Sequence, residues 1–133
     1  MNKVYSFFLL LTLALYQVNA IDIALPHTME EAVPELVLVF TKTEGFRHEN
    51  IEKGVKTLRE LGRENGFIVL QTETSEDFNT ENLKNFRLVV FLSTTGDVLN
   101  DIQQKAFEDY IRNGGAFMGI HAALDTYFDW PCY

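Results

Sequence analysis

The feature that most constrains this sequence is a regular alternation of short apolar runs with amphipathic segments. Four runs have the length and the apolar, β-branched content of buried strands: Glu35–Thr41, Phe67–Glu73, Arg87–Ser93 and Ala116–His121. Strands that alternate with helices imply a parallel sheet that is built from right-handed crossovers and covered on both faces. The alternation therefore predicts an α/β fold with a doubly wound parallel sheet.

Three segments between these runs have helical character. The first, His48–Asn65, carries apolar residues at helical spacing and stops at Gly66. The second is a short helix before the third strand, with Thr80 as its predicted cap. The third begins at a capping-box pair, Asn100 and Gln103, and ends near Arg112 before two glycines. The predicted buried faces are Ile51, Val55, Leu58 and Leu61 in the first helix, and Ile102, Ala106, Phe107, Tyr110 and Ile111 in the third.

The first twenty residues have the pattern of a secretory signal peptide. Lys3 precedes an apolar run of about fifteen residues, which is short for a membrane span of about 20, and small residues precede a predicted cut after Ala20. The sequence thus predicts a leader at 1–20, a linker at 21–34 and one domain at 35–133. It also predicts export to the periplasm or the extracellular space, without stable membrane anchoring after cleavage.

Composition narrows the range of partners. The chain has 133 residues, 47% of them hydrophobic, and a formal charge of −8, which becomes about −9 once Lys3 leaves with the leader. Such a surface repels phosphate backbones, so no nucleic-acid partner is expected. Cys132 is the single cysteine, so the chain cannot form an internal disulfide framework.

Polar loops follow three of the predicted strands at the edge where ligands bind in such sheets. The segments "KTEGFRHEN", "TTGDVLN" and "HAALDTYFDW" contrast with the short turns of the opposite edge. Side chains here could bind sugar hydroxyls or an anionic group, or could be solvated loop residues. The predicted ligand-binding residues are Lys42, Glu44, Arg47, Thr94, Thr95, Gly96, Asp97, Asp125 and Trp130.

His121 stands where a sharp strand-to-helix turn would present a nucleophile. That turn requires small residues two positions to either side, and Gly119 and Ala123 occupy them. In the order expected for this fold, the loop of His48 faces the same crevice. The two histidines are the predicted catalytic pair; alternatively, His121 ties down the turn and His48 caps a helix.

With Asp125, these imidazoles would suit a divalent metal such as zinc. The candidate metal ligands are therefore His48, His121 and Asp125. The sequence contains neither a phosphate-binding P-loop nor a G-x-G-x-x-G fingerprint, so no nucleotide cofactor is expected.

Three segments together, "TKTEGFRHENI", "VVFLSTTGDVLN" and "YIRNGGAFMGIHAALDTYFDWP", resemble the trehalose-utilisation (ThuA-like) family of the class I glutamine amidotransferase-like superfamily. The resemblance implies a flavodoxin-like sheet and a role in the use of trehalose or another disaccharide, through keto-sugar intermediates. It places His121 where amidotransferase relatives keep a catalytic cysteine, so cysteine-dependent amidotransfer is not expected. An active member would be a hydrolase, lyase or isomerase of sugars.

Relatives of this family are longer, which predicts a domain truncated after its fourth strand. The sequence leaves two alternatives to a sugar-active enzyme open. One is a non-catalytic carbohydrate-binding module that stacks sugar rings on Tyr127, Phe128 and Trp130, and the other is an inactive fragment.

Overall fold

Four strands alternate with three helices in the predicted order in the computed structural model, which describes residues 33–126 and 130–131. The strands are β1 (Glu35–Phe40), β2 (Phe67–Thr72), β3 (Leu88–Leu92) and β4 (Ala116–Ile120). The helices are α1 (Ile51–Asn65), α2 (Thr80–Leu83) and α3 (Asp101–Arg112), and 3-10 turns span Ser75–Asp77 and His121–Asp125. The predicted leader, most of the predicted linker, Tyr127, Phe128 and Cys132 lie outside the described residues.

The four strands form one parallel sheet in the order β2-β1-β3-β4. β1 is central: Val37 is opposite Val69 of β2, and Val39 is opposite Val90 of β3. The connection after β1 leads to β2 on one side of it, and the connection after β2 leads back across β1 to β3 on the other side. This reversal between β1 and β3 is the flavodoxin-like arrangement, and it confirms the predicted α/β fold.

Each face of the sheet packs against its own helices. On one face, valines of β1, β2 and β3 pack against Ile51 and Val55 of α1. On the other, the core is aromatic and lies under α2 and α3, with Phe40, Phe91 and Phe107 among its members. The sheet's central strands are therefore covered on both sides, and the carboxyl ends of β1, β3 and β4 meet at one edge.

β4 is less covered than the sequence suggests. It is an edge strand in the described sheet, and Phe117 and Met118 are 40% and 48% exposed. The apolar run "AFMGI" looks like a buried strand because apolar composition does not distinguish a central strand from an edge strand. The expectation of a sheet covered on both faces is therefore wrong for β4.

The predicted helix faces and caps need four corrections, the first of which is Ile111, a predicted buried residue of α3 that is 39% exposed. Ile102 is 81% exposed, because five residues of helix place it about 140° around the axis from the buried Phe107. Leu61 is 43% exposed, and its neighbour Gly62 instead lies against the sheet, where a Cβ would be 2.6 Å from the carbonyl oxygen of Phe67. The short helix α2 is capped by Asn79, whose side chain accepts from the Asn82 N–H, and not by Thr80.

The capping box of α3 is present as predicted. The Asn100 side chain accepts from the Gln103 N–H at 3.0 Å, and the Gln103 side chain accepts from the Asn100 N–H at 2.9 Å. No helix among the described residues is long and apolar enough to span a membrane.

Replacing Asn100 with alanine should lower the free energy of unfolding by about 1 kcal/mol, because the first turn of α3 loses its side-chain acceptor. Urea unfolding followed by circular dichroism would measure the change. Asn113→Ala at the other end of α3 is the matched control, since no side-chain hydrogen bond is described there. Equal losses in the two variants would contradict a specific role for the capping box.

Candidate functional site

The turn after β4 has the geometry that the sequence predicts for His121. The φ of His121 is 59°, in the left-handed region that few non-glycine residues adopt, with asparagine, aspartate and histidine the most frequent among them. Gly119 packs closely against this turn, because a Cβ there would lie 3.2 Å from the Cβ of Ala123, a tight contact. A left-handed conformation at such a position costs about 1–3 kcal/mol, and such residues cluster at functional sites.

Enlarging the small residue on the other side of this turn should disturb it. Ala123 is 2% exposed, so Ala123→Leu would press against Gly119 and the core and should cost about 1–3 kcal/mol. Urea unfolding would measure the loss. Leu124→Ala, at a neighbouring side chain that is 83% exposed, should stay within about 0.5 kcal/mol of the parent. A fully stable Ala123→Leu protein would contradict the tight packing at this turn.

The imidazole rings of His48 and His121 contact each other. Their centroids are 4.4 Å apart and the ring planes meet at 78°, an edge-to-face arrangement. His48 lies in the loop between β1 and α1, so residues 73 positions apart in sequence meet because β1 and β4 end at the same edge. His48 is half-buried and His121 is exposed, so solvent can reach the pair. The expectation of a shared crevice is confirmed.

Phe46 adds an aromatic surface beside this pair. Its ring centroid is 4.9 Å from that of His48, and the side chain is 70% exposed. An exposed aromatic ring next to two imidazoles offers a flat apolar face and polar nitrogen atoms together. Sequence reasoning missed Phe46, although an aromatic residue directly after Gly45 in a loop was a usable signal.

The loop that carries Phe46 and His48 is held at its base by Thr95. The Glu44 N–H donates to the Thr95 carbonyl at 2.8 Å, and the Thr95 hydroxyl donates to the Phe46 carbonyl at 3.0 Å. Gly45 packs closely here, since a Cβ would lie 3.3 Å from Thr95 Oγ1. Backbone contacts of this kind place His48 against His121.

Arg47 anchors the same loop to two other elements. Its guanidinium donates to Glu73 at 2.8 Å and to Glu52 at 3.0 Å. The hydrogen bond to Glu73, and to a smaller extent the one to Glu52, raises the pKa of Arg47 above its ordinary value. Glu73 also accepts from the Thr41 hydroxyl at 3.2 Å. Because these pairs are exposed, each contributes little stability. Ligand contact by Arg47 stays a prediction, and in this structure its guanidinium binds protein carboxylates.

Lys42 and Asp97 line a separate cavity of about 370 Å³, near Ser75 and Asn100. The Lys42 ammonium donates to Ser75 Oγ at 2.9 Å and pairs with Glu44 at 2.8 Å. The residues proposed to bind one ligand thus divide between this cavity and the crevice of the two histidines. Neither histidine lines the cavity of Lys42.

The threonine hydroxyls of the loop after β3 are already bonded within the protein. Thr94 is fully buried and shares a hydrogen bond of 2.8 Å with Thr126, and Thr95, which is 5% exposed, donates its hydroxyl to the Phe46 carbonyl. Gly96 has a φ of 77°, and its N–H donates to the Asp125 carbonyl at 3.0 Å. These three residues hold the loops together, and their contact with a ligand stays a prediction.

Trp130 and Asp125 are the two remaining predicted site residues. Trp130 is 9% exposed and packs near Phe107, and its indole N–H donates to Glu108 at 2.9 Å, so it offers no open face to a sugar ring. Asp125 is exposed, but no three or more His, Cys, Asp or Glu side chains of the described residues converge as a metal site. The zinc site of His48, His121 and Asp125 therefore stays a prediction with two of its three ligands in contact.

Ser93 is a second strained residue at this edge. It follows β3 with a φ of 54°, is fully buried, and donates its N–H to the carbonyl of Ile120 at 3.0 Å. Its hydroxyl donates to Asn50 Oδ1 at 3.4 Å. The backbone N–H of Ser93 thus holds Ile120, the residue before His121, in place. No local pattern in the sequence predicts this contact.

Comparisons with known proteins agree with this architecture. The family model for ThuA, trehalose utilisation, matches residues 36–133. A crystal structure of a ThuA-like protein from Bacteroides uniformis is similar in fold, with a TM-score of 0.62 and 22% identity over 76% of this chain. The chain spans 42% of the length of that protein. None of the curated proteins matches the chain.

Proposed function

Since the chain belongs to the ThuA (trehalose utilisation) family, we propose that it binds a carbohydrate at the carboxyl edge of its parallel sheet and acts on it through His48 and His121. The observation that carries this proposal is the contact of the two imidazoles, 4.4 Å apart, at a turn that holds His121 in a left-handed conformation. An unfavourable backbone conformation that presents a polar side chain to solvent is typical of functional sites.

Imidazoles suit the chemistry of sugars in two ways. A neutral imidazole has one nitrogen that donates and one that accepts, so it can bind a hydroxyl in either sense. Two imidazoles at one crevice can also work as general acid and general base on a sugar hydroxyl or carbonyl, taking a proton at one atom and returning it at another. His48 and His121 hold these roles in the proposal, and the reaction class is hydrolysis, elimination or isomerisation.

The exposed ring of Phe46 favours a binding module as the second candidate function. Its apolar face, next to His48, fits the C–H face of a sugar ring without any chemical step. Phe46 takes the role that the sequence assigned to Trp130, whose indole is buried. Binding without turnover would support this candidate over an enzyme.

Zinc would act at this crevice as a Lewis acid, or would activate water, if it bound the two imidazoles. Catalytic zinc sites in proteins usually have three protein ligands, and the described residues bring two together.

Export through the leader at 1–20 is also part of the proposal, and its support is the signal-peptide pattern alone.

Isothermal titration of the full chain with trehalose and with methyl glucoside tests the proposal. His48→Gln, His121→Gln and Phe46→Ala should each weaken sugar binding about tenfold, because each removes a contact of about 1.4 kcal/mol. Ile102→Ala and His27→Gln are the controls. Ile102 is 81% exposed on α3, and His27 is the one histidine of the chain besides His48 and His121. Full binding by all three site variants would overturn the proposed site.

A further inference from the structure

Three consecutive residues of the loop after β1 point their side chains to alternate sides. The rings of Phe46 and His48 contact each other, with centroids 4.9 Å apart, and His48 reaches His121 at the end of β4. The Arg47 guanidinium between them contacts Glu73, which directly follows β2. Because β2 and β4 are at opposite ends of the sheet, Arg47 points away from the two rings. Such alternation is typical of extended backbone, so the direction of Arg47 sets the direction of its two neighbours.

The Glu73 carboxylate is itself held by a second hydrogen bond. Its Oε1 accepts from Arg47 at 2.8 Å and from the Thr41 hydroxyl at 3.2 Å. Thr41 is fully buried, and its Oγ1 accepts from the Gln71 amide at 3.1 Å. Since Thr41 directly follows β1 and Gln71 lies in β2, the two strands fix the oxygen that Arg47 binds. Glu52, the other partner of Arg47, has a side chain that is 69% exposed, so Glu73 is the better-ordered anchor.

The contact between the two imidazoles depends on where the backbone places them. Within residues 33–126, the rings of His48 and His121 take part in no hydrogen bond. Thr95 holds the loop as far as the Phe46 carbonyl, by a hydrogen bond of 3.0 Å. Arg47, directly before His48, makes the next side-chain contacts along the loop. The placement of the His48 ring therefore depends on Arg47 and its carboxylate partners.

We propose that Glu73 is a positioning residue of the site: through Arg47, it holds His48 against His121. The inference rests on the proposed function, to which it adds the means by which the two imidazoles are brought together. Exposed ion pairs contribute little to the free energy of unfolding, so Glu73 is not a major stabilising residue. A contact that selects one loop conformation nevertheless raises the fraction of the protein that is ready to bind, and the apparent affinity rises with that fraction. Arg47 thus acts on the position of His48 and not on the sugar.

Nuclear Overhauser spectra of the full chain, recorded without sugar, test this inference. The parent protein should show a cross-peak between the ring protons of His48 and His121, whose centroids are 4.4 Å apart. Glu73→Ala should lose this cross-peak, because Arg47 loses its ordered acceptor. If the loop is then in place in about a tenth of the molecules, isothermal titration should show trehalose binding about tenfold weaker than in the parent. The urea midpoint of Glu73→Ala should equal that of the parent.

Glu60→Ala is the matched control. The Glu60 side chain is 44% exposed, against 46% for Glu73, and it also pairs with a basic residue, Lys56, but on α1. This variant should keep both the cross-peak and the trehalose affinity of the parent.

Three outcomes would overturn the positioning role. The first is a Glu73→Ala protein that keeps the cross-peak between the imidazoles. The second is a lost cross-peak with unchanged or tighter trehalose binding, which would show that Arg47, released from Glu73, binds the sugar itself. The third is a lowered urea midpoint, which would show a general loss of structure. If the parent does not bind trehalose, the proposed function fails, whereas the cross-peaks, measured without sugar, still decide the role of Glu73.

Discussion

Phe91→Ala is expected to lower the free energy of unfolding by about 3–5 kcal/mol. The ring is fully buried at the centre of the aromatic core, 5.2 Å from Phe40, 5.5 Å from Phe107 and 5.3 Å from Phe117 between ring centroids. Truncation removes all of these contacts and leaves a cavity between the sheet and α3. Domains of this size have about 5–15 kcal/mol of stability in total, so the loss should leave a substantial unfolded fraction at 37 °C.

Phe46→Ala is the matched control for this prediction. It makes the same chemical change at a side chain that is 70% exposed, so its effect on stability should stay within about 0.5 kcal/mol. Urea unfolding followed by circular dichroism compares the two variants directly. A loss below about 1 kcal/mol in Phe91→Ala would contradict the core described for this face of the sheet.

His121→Gly is expected to stabilise the protein while it weakens sugar binding. Glycine adopts a φ of 59° without steric cost, whereas other residues pay about 1–2 kcal/mol for the left-handed region. The added backbone freedom of glycine in the unfolded chain offsets part of this gain, so a net gain of about 1 kcal/mol is expected. Loss of the imidazole should weaken trehalose binding at least about tenfold.

His121→Ala separates the two effects. It removes the same imidazole but keeps a Cβ in the left-handed conformation, so it should be about 1 kcal/mol less stable than His121→Gly, with equally weak binding. Urea unfolding and titration with trehalose measure both quantities on each variant. If His121→Gly is destabilised relative to His121→Ala, the turn is not strained; if it binds trehalose as the parent does, His121 only ties down the turn.

Much of the fold was predictable because the relevant signals are local. Apolar runs and helical periodicity gave every strand to within one residue, and the glycine after α1 adopts the expected left-handed conformation, with a φ of 77°. The turn at His121 was predictable because its steric rule involves only Gly119 and Ala123. The meeting of His48 with His121 follows from a flavodoxin-like strand order, which the resemblance to the ThuA-like family implies and the sheet has.

The remaining features depend on packing between distant segments. The hydroxyls of Thr94 and Thr95 look available in sequence, and only the tertiary structure shows that Thr126 and Phe46 take them up. Trp130 looks like a sugar platform, but the aromatic core under α3 buries it. The exposure of Phe46 and the strain at Ser93 likewise have no counterpart in local spacing.

The most direct test of the site is NMR of the histidine side chains during titration with trehalose. In the full chain with ¹⁵N-labelled histidine, the ring signals of His48 and His121 should shift together and saturate with one dissociation constant, while those of His27 stay in place. His121→Gly should remove the shift of His48 as well. A protein that binds trehalose while the His48 and His121 signals stay unchanged would contradict a carbohydrate site at this pair of imidazoles.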